Sequence, residues 1–512
     1  MDIDVGQSYC GVYVDYNTDY TFYVFRDCGG DILSDYVSVD FMAPIIIKAF
    51  TTAGYWNDAD NWSPSGVPAL LEDVVIRANA IIPNGCVATA NSITYDGAPM
   101  PITIADGGQL IHKNDGVIAI VEKEITGYNG EKDHYYLIGV PQYDQTLIAP
   151  TNVQHMLDND FDLYAFEQDA ADGLEWRNYK VAEQPFFLYY GVGYLYANSE
   201  DVTLSAETIL QPLNDEGYAV CNNYVALSYT NGGTNPLNGW NLVSNPWAFS
   251  GYMYVYDPIN DEFVSQDFYR MGENSIEAVA SQGTVAPWEA VFVEATAVNQ
   301  FAMVYKNPVD INGKSLNMTV SRNGGMVDNA RIRFGKGCGL GKFQLNPNHT
   351  KLYIPQSDKD YAVVYSEENM GEIPVSFKAE HNGAYTLSFD VEEVSFDYLH
   401  LIDNMTGVET DLLANPSYSF NARTSDYASR FKLVFATGSS TGSDAFAFFS
   451  HGSFVINNEG DATLQVIDVM GRILKSERVT GCANVNFDAA SGVYMLRLIN
   501  GNDVKVQKVV VR

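Results

Sequence analysis

Basic residues are scarce in this 512-residue sequence, which has 29 Lys and Arg against 64 Asp and Glu. The net charge of -35 repels the phosphates of nucleic acids and the headgroups of anionic lipids. We therefore expect no nucleic acid and no acidic membrane surface among the partners of this protein. An excess of carboxylates also attracts divalent cations, although a solvated acidic exterior accounts for it without any ligand.

Long apolar runs are absent as well. A membrane-spanning helix needs about 18 or more consecutive apolar residues, and no stretch reaches that length. The opening residues, MDIDVGQSYCGVY, contain neither the basic nor the apolar region of a signal peptide. Since the arguments below favour export, we expect the chain to be a fragment of a longer gene product.

Cysteine and histidine lack the spacings of metal and redox sites. The six cysteines form no C-x-x-C pair, which excludes zinc ribbons and thioredoxin-like motifs. Cys10 and Cys28 are close enough in sequence to suggest one local disulfide, and the other four are expected to be small buried hydrophobes. The seven histidines show no metal-ligand spacing, so we expect surface or packed side chains.

Aromatic residues, by contrast, are abundant, with 34 Tyr and 26 Phe. Runs such as YTFYVF (20–25), AVFVEA (290–295) and YTLSFDV (385–391) have the composition of strands and are bounded by Gly, Asn and Asp. Helical signals are confined to two short segments, about Asn152–Leu157 and Ser275–Ala280. The pattern predicts an all-β, multidomain chain of β-sandwiches with a short β-roll or β-helix segment.

The first part of the chain contains two predicted domains. Residues 1–50 resemble the closing half of a fibronectin type III domain, because Thr18-x-Tyr20 precedes an alternating strand and Tyr20 stands where that family has its corner tyrosine. Residues 51–128 consist of short β-runs that each end in a glycine turn, which predicts a β-roll or β-helix. Trp56 and Trp62 are expected to cap its core.

The central part is predicted to contain a duplicated β module (129–305), a β-sandwich (306–436) and a linker (437–444). YLIGVP (136–141) matches NLVSNP (241–246), LYAF (163–166) matches YVY (254–256), and GYLYAN (193–198) matches AVFVEA (290–295). The sandwich has turn signals at 381–383 and 404–407. The linker, TGSSTGSD, has no apolar side chain that can dock.

Residues 445–512 form a compact β pattern with three short motifs. These are Asp468-Val469-Met470-Gly471-Arg472, Ser491-Gly492-Val493-Tyr494 and Lys508-Val509-Val510-Val511-Arg512. The glycines suit turns that β-branched residues cannot make. In their order along the whole segment, the motifs resemble the C-terminal (type A) sorting domain of type IX secretion cargo, an Ig-like sandwich.

The resemblance implies a sorting motif made of Asp468, Gly471, Arg472, Gly492, Tyr494 and Lys508. It implies recognition by the type IX translocon and sorting machinery, passage through the outer membrane, and removal of the domain after export. It further implies attachment of the mature protein to surface lipopolysaccharide, and thus an extracellular location at the outer-membrane surface. Residues 129–436 also resemble β modules that recur upstream of such domains.

Three further motifs lack the context that their chemistry requires. Gly438-Ser439-Ser440-Thr441-Gly442 fits G-x-S-x-G, but no helix follows, so a linker is the better reading. The glycine-rich segment 335–342 lacks the G-x-x-x-x-G-K-[ST] pattern of a phosphate loop. Asp158, Asp160 and Asp162 resemble the start of a calcium loop, although Leu163 stands where an EF-hand needs glycine. Calcium is therefore a weak cofactor candidate, and no other cofactor and no catalytic site are expected.

The leading hypothesis is a non-enzymatic, structural or adhesin-like surface protein exported by the type IX route. The alternative is the non-catalytic tail of a larger secreted hydrolase. A third hypothesis is a glycan binder that uses aromatic side chains such as Tyr189, Tyr190, Tyr194 and Tyr196. Strand alternation weakens it, because about half of these side chains must face inward. The sequence does not name a glycan or protein ligand.

Overall fold

A computed structural model describes most of the chain. The described residues are 19–24, 37–42, 47–97, 101–128, 134–143, 147–170, 174–181, 185–213, 224–233, 235–272, 278–307, 313–367, 370–437, 446–450, 452–458, 460–488, 490–501 and 503–511. Within these ranges there is no α-helix, and 3-10 turns lie at Ala59–Asn61, Pro150–Asn152 and Tyr179–Val181. The predicted all-β fold class is confirmed. No helix in the described ranges is long and apolar enough to cross a membrane.

Strands β1 (Asp19–Val24) and β2 (Val37–Met42) form an antiparallel pair in which Tyr20 lies opposite Phe41. The remaining residues before 47 lie outside the described part of the chain. They include Cys10 and Cys28, so their disulfide stays a prediction.

Residues 47–125 form a short parallel β-helix. Its strands β3 to β12 are Ile47–Phe50, Gly54–Tyr55, Trp62–Ser63, Asp73–Ile76, Ala80–Ile82, Val87–Thr89, Ser92–Tyr95, Ile102–Ile104, Gln109–Ile111 and Ile118–Ile125. Parallel pairing of these strands builds three faces. The first face contains β3, β6 and β9, the second contains β4, β7, β10 and β12, and the third contains β8 and β11. Ile82, Ile104 and Val121 are neighbours in one buried stack. Trp56 and Trp62 are buried edge to face, 4.8 Å apart between ring centroids, as expected for a core cap.

Residues 118–305 contain two β units, the first of which begins with β12 of the β-helix. Strands β13 to β18 are Tyr136–Ile138, Val153–Gln154, Phe161–Phe166, Trp176–Asn178, Tyr194–Asn198 and Val202–Ile209. Strands β19 to β27 are Tyr224–Ala226, Trp240–Ser244, Gly251–Asp257, Glu262–Ser265, Phe268–Met271, Ala278–Ser281, Thr284–Val285, Ala290–Glu294 and Phe301–Tyr305. Strand β12 pairs with β18 over its whole length, from Ile118 opposite Ile209 to Ile125 opposite Val202, so the β-helix sheet continues across residue 128.

The two β units share one strand order, to which the second unit adds β22 and β25, both paired with β21. In the first β unit (118–209), β18 lies between β12 and β14, and a second sheet has the order β13-β17-β15-β16. In the second β unit (224–305), β27 lies between β19 and β21, and the second sheet has the order β20-β26-β23-β24. This order makes β15 equivalent to β23, at 268–271, rather than to the YVY segment at 254–256.

Equivalent positions of the two β units meet each other. The N–H of Gly139 donates to the carbonyl of Trp288 at 2.9 Å, and the N–H of Ser244 donates to the carbonyl of Gly191 at 2.9 Å. Ser244 lies 105 residues after Gly139, and Trp288 lies 97 residues after Gly191, the same offsets as in the sequence repeat. Each bond is thus the image of the other when the units exchange places, which defines an approximate two-fold axis.

Local backbone geometry agrees with this axis. Gly191 and Trp288, at equivalent positions, both have a φ of 66°. A Cβ on Gly139 would lie 2.3 Å from the Cβ of Ser244, so the close approach of the units at the axis requires glycine there.

Residues 313–437, called the sandwich, form one long sheet that closes over its own core. Its strands β28 to β38 are Ser315–Arg322, Gly325–Phe334, Leu340–Gly341, Lys351–Pro355, Asp360–Ser366, Met370–Lys378, Gly383–Glu392, Phe396–Asp403, Val408–Asp411, Ser417–Ala422 and Phe431–Thr437. The turns expected at 381–383 and 404–407 join β33 to β34 and β35 to β36. Leu316 and Leu401, from opposite halves of the sheet order, belong to one buried cluster.

Two expectations about local structure are wrong. The helix expected at Asn152–Leu157 is a 3-10 turn followed by strand β14, because Val153 pairs with Ala206 and Met156 fills the core. At 275–280, the described residues from Ala278 form strand β24.

The expected burial of the free cysteines is also wrong in part. Cys338 is exposed, and Cys86 and Cys482 are half-buried. Cys221 lies outside the described residues. Burial raises the pKa of the Cys482 thiol to about 11, so this thiol is protonated and inert at neutral pH.

Candidate functional site

Residues 446–511, called the terminal domain, form a two-sheet sandwich. Its strands β39 to β45 are Ala447–Ser450, Ser453–Ile456, Asp461–Ile467, Ile473–Thr480, Ala483–Asn486, Gly492–Asn500 and Asp503–Val511. One sheet has the order β39-β40-β43 and the other β42-β41-β44-β45. Alternate side chains of both sheets, such as Phe454, Leu464 and Leu496, meet in one buried core.

The last strand, β45, is an edge strand that pairs with β44 from Asp503 opposite Asn500 to Val511 opposite Gly492. Val509 and Val511 point into the core. Lys508 lies on the other face and is exposed. The strand therefore contributes to the core on one side and exposes the Lys508 side chain on the other.

The Asp468–Arg472 motif is a closed turn. The carboxylate of Asp468 accepts from the N–H groups of Met470 and Arg472 at 2.9 Å each, and the Arg472 guanidinium donates to it at 2.7 Å. These bonds, the Arg472 N–H foremost, hold the pKa of Asp468 below its usual value. Gly471 has a φ of 81°, the left-handed conformation for which glycine is suited.

This turn presents apolar side chains to solvent. Val469 is 75% exposed and Met470 is 78% exposed. The hydrogen bonds around Asp468 fix the backbone beneath them, so the two side chains project from a rigid base. The motif thus combines an ordered turn with an apolar tip.

Gly492 and Tyr494 belong to the start of β44. The Tyr494 hydroxyl donates to the carbonyl of Ala490 at 2.9 Å, and its ring packs on Phe454 and Phe487 in the core. Gly492 is extended and lies opposite Val511, so the turn interpretation does not apply to it. An added Cβ there would have its nearest neighbour at 3.7 Å, an ordinary contact.

The topology brings all three motifs to one end of the four-stranded sheet. Strand β41 ends at Ile467, just before the Asp468 turn, β44 begins at Gly492, and β45 ends at Val511. In register, Ile467 lies opposite Met495, and Met495 lies opposite Lys508. Residues distant in sequence therefore form one surface.

Sequence reasoning missed Gln507, which ties the last strand to the first. Its side-chain oxygen accepts from the N–H groups of Phe446 and Ala447 at 2.6 and 2.8 Å, and its amide donates to the Ala447 carbonyl at 2.6 Å. The terminal strand thus holds the point where the chain enters the domain. Only the three-dimensional structure reveals this contact, because 60 residues separate its ends.

The contact between the terminal domain and the sandwich was also missed. Tyr398, Val434 and Ala436 of the sandwich share an apolar cluster with Val455. The Asn484 amide donates to the Tyr398 hydroxyl at 2.7 Å. Residues 438–445, which include the G-x-S-x-G match and nearly all of the predicted linker, lie outside the described part of the chain.

Charge separates the terminal domain from the start of the chain. Residues 446–512 have seven Lys and Arg and six Asp and Glu, a net charge of +1. Residues 1–312 have ten Lys and Arg and 42 Asp and Glu, a net charge of -32. The acidic exterior predicted from composition is thus a property of the chain before the sandwich.

The three candidate calcium ligands do not gather around one point. Asp158 bonds to His155 at 2.8 Å, Asp160 to Lys180 at 3.2 Å, and Asp162 to Tyr135 at 3.1 Å. Across the described ranges, no group of three or more His, Cys, Asp or Glu side chains has metal-binding geometry. The calcium hypothesis finds no support in this arrangement.

The other sequence candidates have structural roles. Lys342, in the glycine-rich segment, is buried and donates to Asp328 at 2.6 Å. Tyr194 and Tyr196 are buried and donate to the carbonyls of Phe187 and Met156 at 2.9 Å. Tyr189 is 44% exposed, so the tyrosine row divides between core and surface as strand alternation requires.

Comparison with known proteins identifies the terminal domain. Residues 450–512 match the family described as a secretion system C-terminal sorting domain. No curated protein matches the chain. A solved chain titled "Biofilm associated protein - BSP domain" matches with 8% identity, over 81% of this chain and 98% of that one, but its TM-score of 0.14 carries no argument. The family match supports export of this protein by type IX secretion, to the cell surface or beyond.

Proposed function

We propose that this protein is a non-enzymatic structural or adhesin-like component of the cell surface, and that its terminal domain is a cleaved export address. The single observation that carries the proposal is the family match at 450–512, in a domain whose three motifs share one end of a sheet. The finer steps are recognition by the translocon, removal of the domain, and attachment of the mature protein to lipopolysaccharide at the outer-membrane surface. The proposal also assigns β1 and β2 to a fibronectin type III-like unit.

The recognised surface is the end of the sheet that contains the Asp468 turn and Lys508. Two features favour it. Val469 and Met470 are exposed apolar side chains on a rigid turn, which a partner can bury at little entropic cost. Lys508 is exposed on the same sheet, two strands from β41, and adds a positive charge at this end.

A charge reversal tests this surface without disturbing the core. Lys508→Glu should retain the protein inside the cell envelope, because the change alters the recognised face only. Lys505→Glu is the matched control, since Lys505 is also exposed, on the same strand but with its side chain on the alternate side. Immunoblotting of surface and envelope fractions is the measurement. Normal export of the Lys508→Glu protein would contradict the assigned surface.

Mass spectrometry of the surface protein tests the cleavage. We expect its C-terminal peptide to end between Ala436 and Asp444, because a polar segment after a closing strand is a preferred site of cleavage. A mature protein that still ends in KVVVR would show that the terminal domain is retained.

The proposal gives this chain no catalytic step. Incubation with a panel of peptide and glycoside substrates should give no turnover. Turnover that one substitution in this chain abolishes would refute a purely structural role.

A further inference from the structure

We propose that a groove on the first β unit is a binding site for a neutral carbohydrate. The groove has a volume of about 340 Å³ and lies where the first β unit, the second β unit and the sandwich meet. This volume is at the lower end of small-molecule clefts, which are about 300–1,000 Å³ and often lie between domains. The inference rests on this groove alone and is independent of the export proposal.

The floor of the groove is apolar and comes from the face of the sheet β13-β17-β15-β16 that also packs against the second β unit, where the rings of Trp176 and Phe292 lie 6.1 Å apart between centroids. Trp176 and Leu195 lie on this face, while Leu163 and Tyr194 on the opposite face are buried in the core. Met271 of the second β unit adds to the lining. The floor thus offers an aromatic ring beside aliphatic side chains.

The polar lining residues of the groove are Tyr135, Tyr164 and Asn346. The hydroxyls of Tyr135 and Tyr164 donate to the two carboxylate oxygens of Asp162, at 3.1 and 3.5 Å. Asn178 lies directly opposite Tyr164 on the neighbouring strand β16. Asp162 lies on the same strand face as Tyr164, two residues away, so the polar group is built on regular sheet rather than on a loop.

This combination fits a sugar ring better than other ligands. A pyranose has an apolar C–H face that packs on an aromatic ring and hydroxyls that bond to carboxylate, amide and phenol groups. A purely apolar ligand would desolvate the tyrosine hydroxyls and the Asn346 amide without adding a hydrogen bond to them, and the Asp162 carboxylate behind the tyrosines disfavours an anion. Because Lys180 lies 4.0 Å from Asp162 and pairs with Asp160, the carboxylate charge is partly balanced, which suits a neutral ligand.

Tryptophan fluorescence provides a specific readout. Of the six tryptophans, five are buried, with at most 4% exposure, whereas Trp176 is only half-buried. Acrylamide should therefore quench Trp176 selectively. The experiment uses the full chain and short neutral oligomers of glucose, galactose, mannose and N-acetylglucosamine, each at concentrations up to about 10 mM, which detects millimolar affinity.

At least one oligomer should lower the quenching of Trp176 by about twofold or more, because a bound ligand buries most of its surface in the groove. Trp176→Ala should weaken binding by about tenfold, as measured by calorimetry, because it removes the aromatic floor. Tyr164→Phe keeps the ring and should weaken binding by about five- to tenfold, through the lost hydroxyl contact. Tyr189→Ala, in the same β unit but away from the groove, is the matched control and should bind normally.

Circular dichroism and the thermal midpoint establish that each variant is folded. Protection of Trp176 by a peptide digest but by no sugar would overturn the proposal in favour of a peptide groove. Absence of protection by every oligomer, with folded protein, would overturn it outright. Equal weakening by Tyr189→Ala and Tyr164→Phe would show that the sugar binds elsewhere.

Discussion

The sandwich and the terminal domain are adjacent β-sandwiches that use charge in opposite ways. The sandwich buries ion pairs, Arg430 with Asp403 and Lys342 with Asp328, and Arg333 extends this pattern to Asp267 of the second β unit. In the described part of the terminal domain, the ion pairs Arg472–Asp468 and Lys475–Glu477 face solvent.

This difference affects how easily each domain can be separated from the rest of the chain. Buried charge pairs make a structure hard to open in part, because breaking one leaves an uncompensated charge in the interior. The ion pairs of the sandwich therefore oppose its partial opening and its separation from the second β unit. The terminal domain contacts the sandwich mainly through a small apolar cluster around Val455 and the Asn484–Tyr398 hydrogen bond, which suits a part that the proposal removes.

The largest effect should come from breaking the buried pair of the sandwich. Arg430→Ala leaves the Asp403 carboxylate buried without its guanidinium, and we expect a loss of about 3–5 kcal/mol in the free energy of unfolding. Urea denaturation followed by circular dichroism measures it. Arg423→Ala, an exposed arginine of the same domain, should change stability by less than about 0.5 kcal/mol. Equal effects of the two substitutions would remove the contrast drawn above.

Acid should weaken the sandwich through the same pair, by a smaller amount. Burial alone would raise the pKa of Asp403, but the Arg430 guanidinium and the Tyr418 hydroxyl outweigh it, so this pKa lies below its usual value. The stabilisation is therefore complete above the unfolded-state pKa and is lost as the pH falls through the folded-state value. Thermal midpoints between pH 7 and pH 2 should show this acid loss, and Asp403→Asn should flatten it. An unchanged acid profile in Asp403→Asn would exclude this carboxylate as the cause.

A third prediction concerns what the two domains share. The Tyr385 hydroxyl donates to the His381 carbonyl and the Tyr494 hydroxyl to the Ala490 carbonyl, each at 2.9 Å and four residues upstream. Replacement of either tyrosine by phenylalanine should cost about 1 kcal/mol, the usual value of one hydrogen bond. Hydrogen exchange of the peptides that contain Tyr385 and Tyr494 follows the stability of the two domains separately within the full chain. If the substitution lowered the stability of only one domain, the two domains would differ in more than their use of charge.

The smallest effect should come from Arg472→Ala. The guanidinium is exposed, so its pair with Asp468 is screened, and we expect less than about 0.5 kcal/mol. Hydrogen exchange at 461–480 should be nearly unchanged. Because this turn belongs to the proposed recognition surface, export of the variant should fall even though stability does not. A strongly destabilised variant would assign Arg472 a structural role instead.

Local sequence patterns predicted the strands, whereas the arrangement of the strands depends on long-range contacts. Alternation in segments such as 385–391 predicted the fold class, and the closing turn at Gly471 followed from its sequence. Three contacts join residues more than 50 positions apart. They are the β12–β18 pairing, the two-fold contact at Gly139 and the hydrogen bonds of Gln507 to the first strand of the terminal domain. No local period encodes such contacts, and the same holds for the groove, whose lining comes from three units. The helix expected at Asn152–Leu157 failed because pairing with Ala206 outweighed a weak local preference.

The two-fold contact between the β units limits how such a protein can lengthen. Each unit offers the same strand ends to the other, so the contact is isologous and is saturated by two copies. A third copy placed after residue 305 would find both ends occupied and would have no equivalent neighbour. The parallel β-helix differs in this respect. Each of its coils pairs with the coil before it and leaves an equivalent edge for the coil after it. Growth in reach should therefore occur by inserted coils or by whole pairs of units, and an odd number of units should be rare among proteins built on this plan.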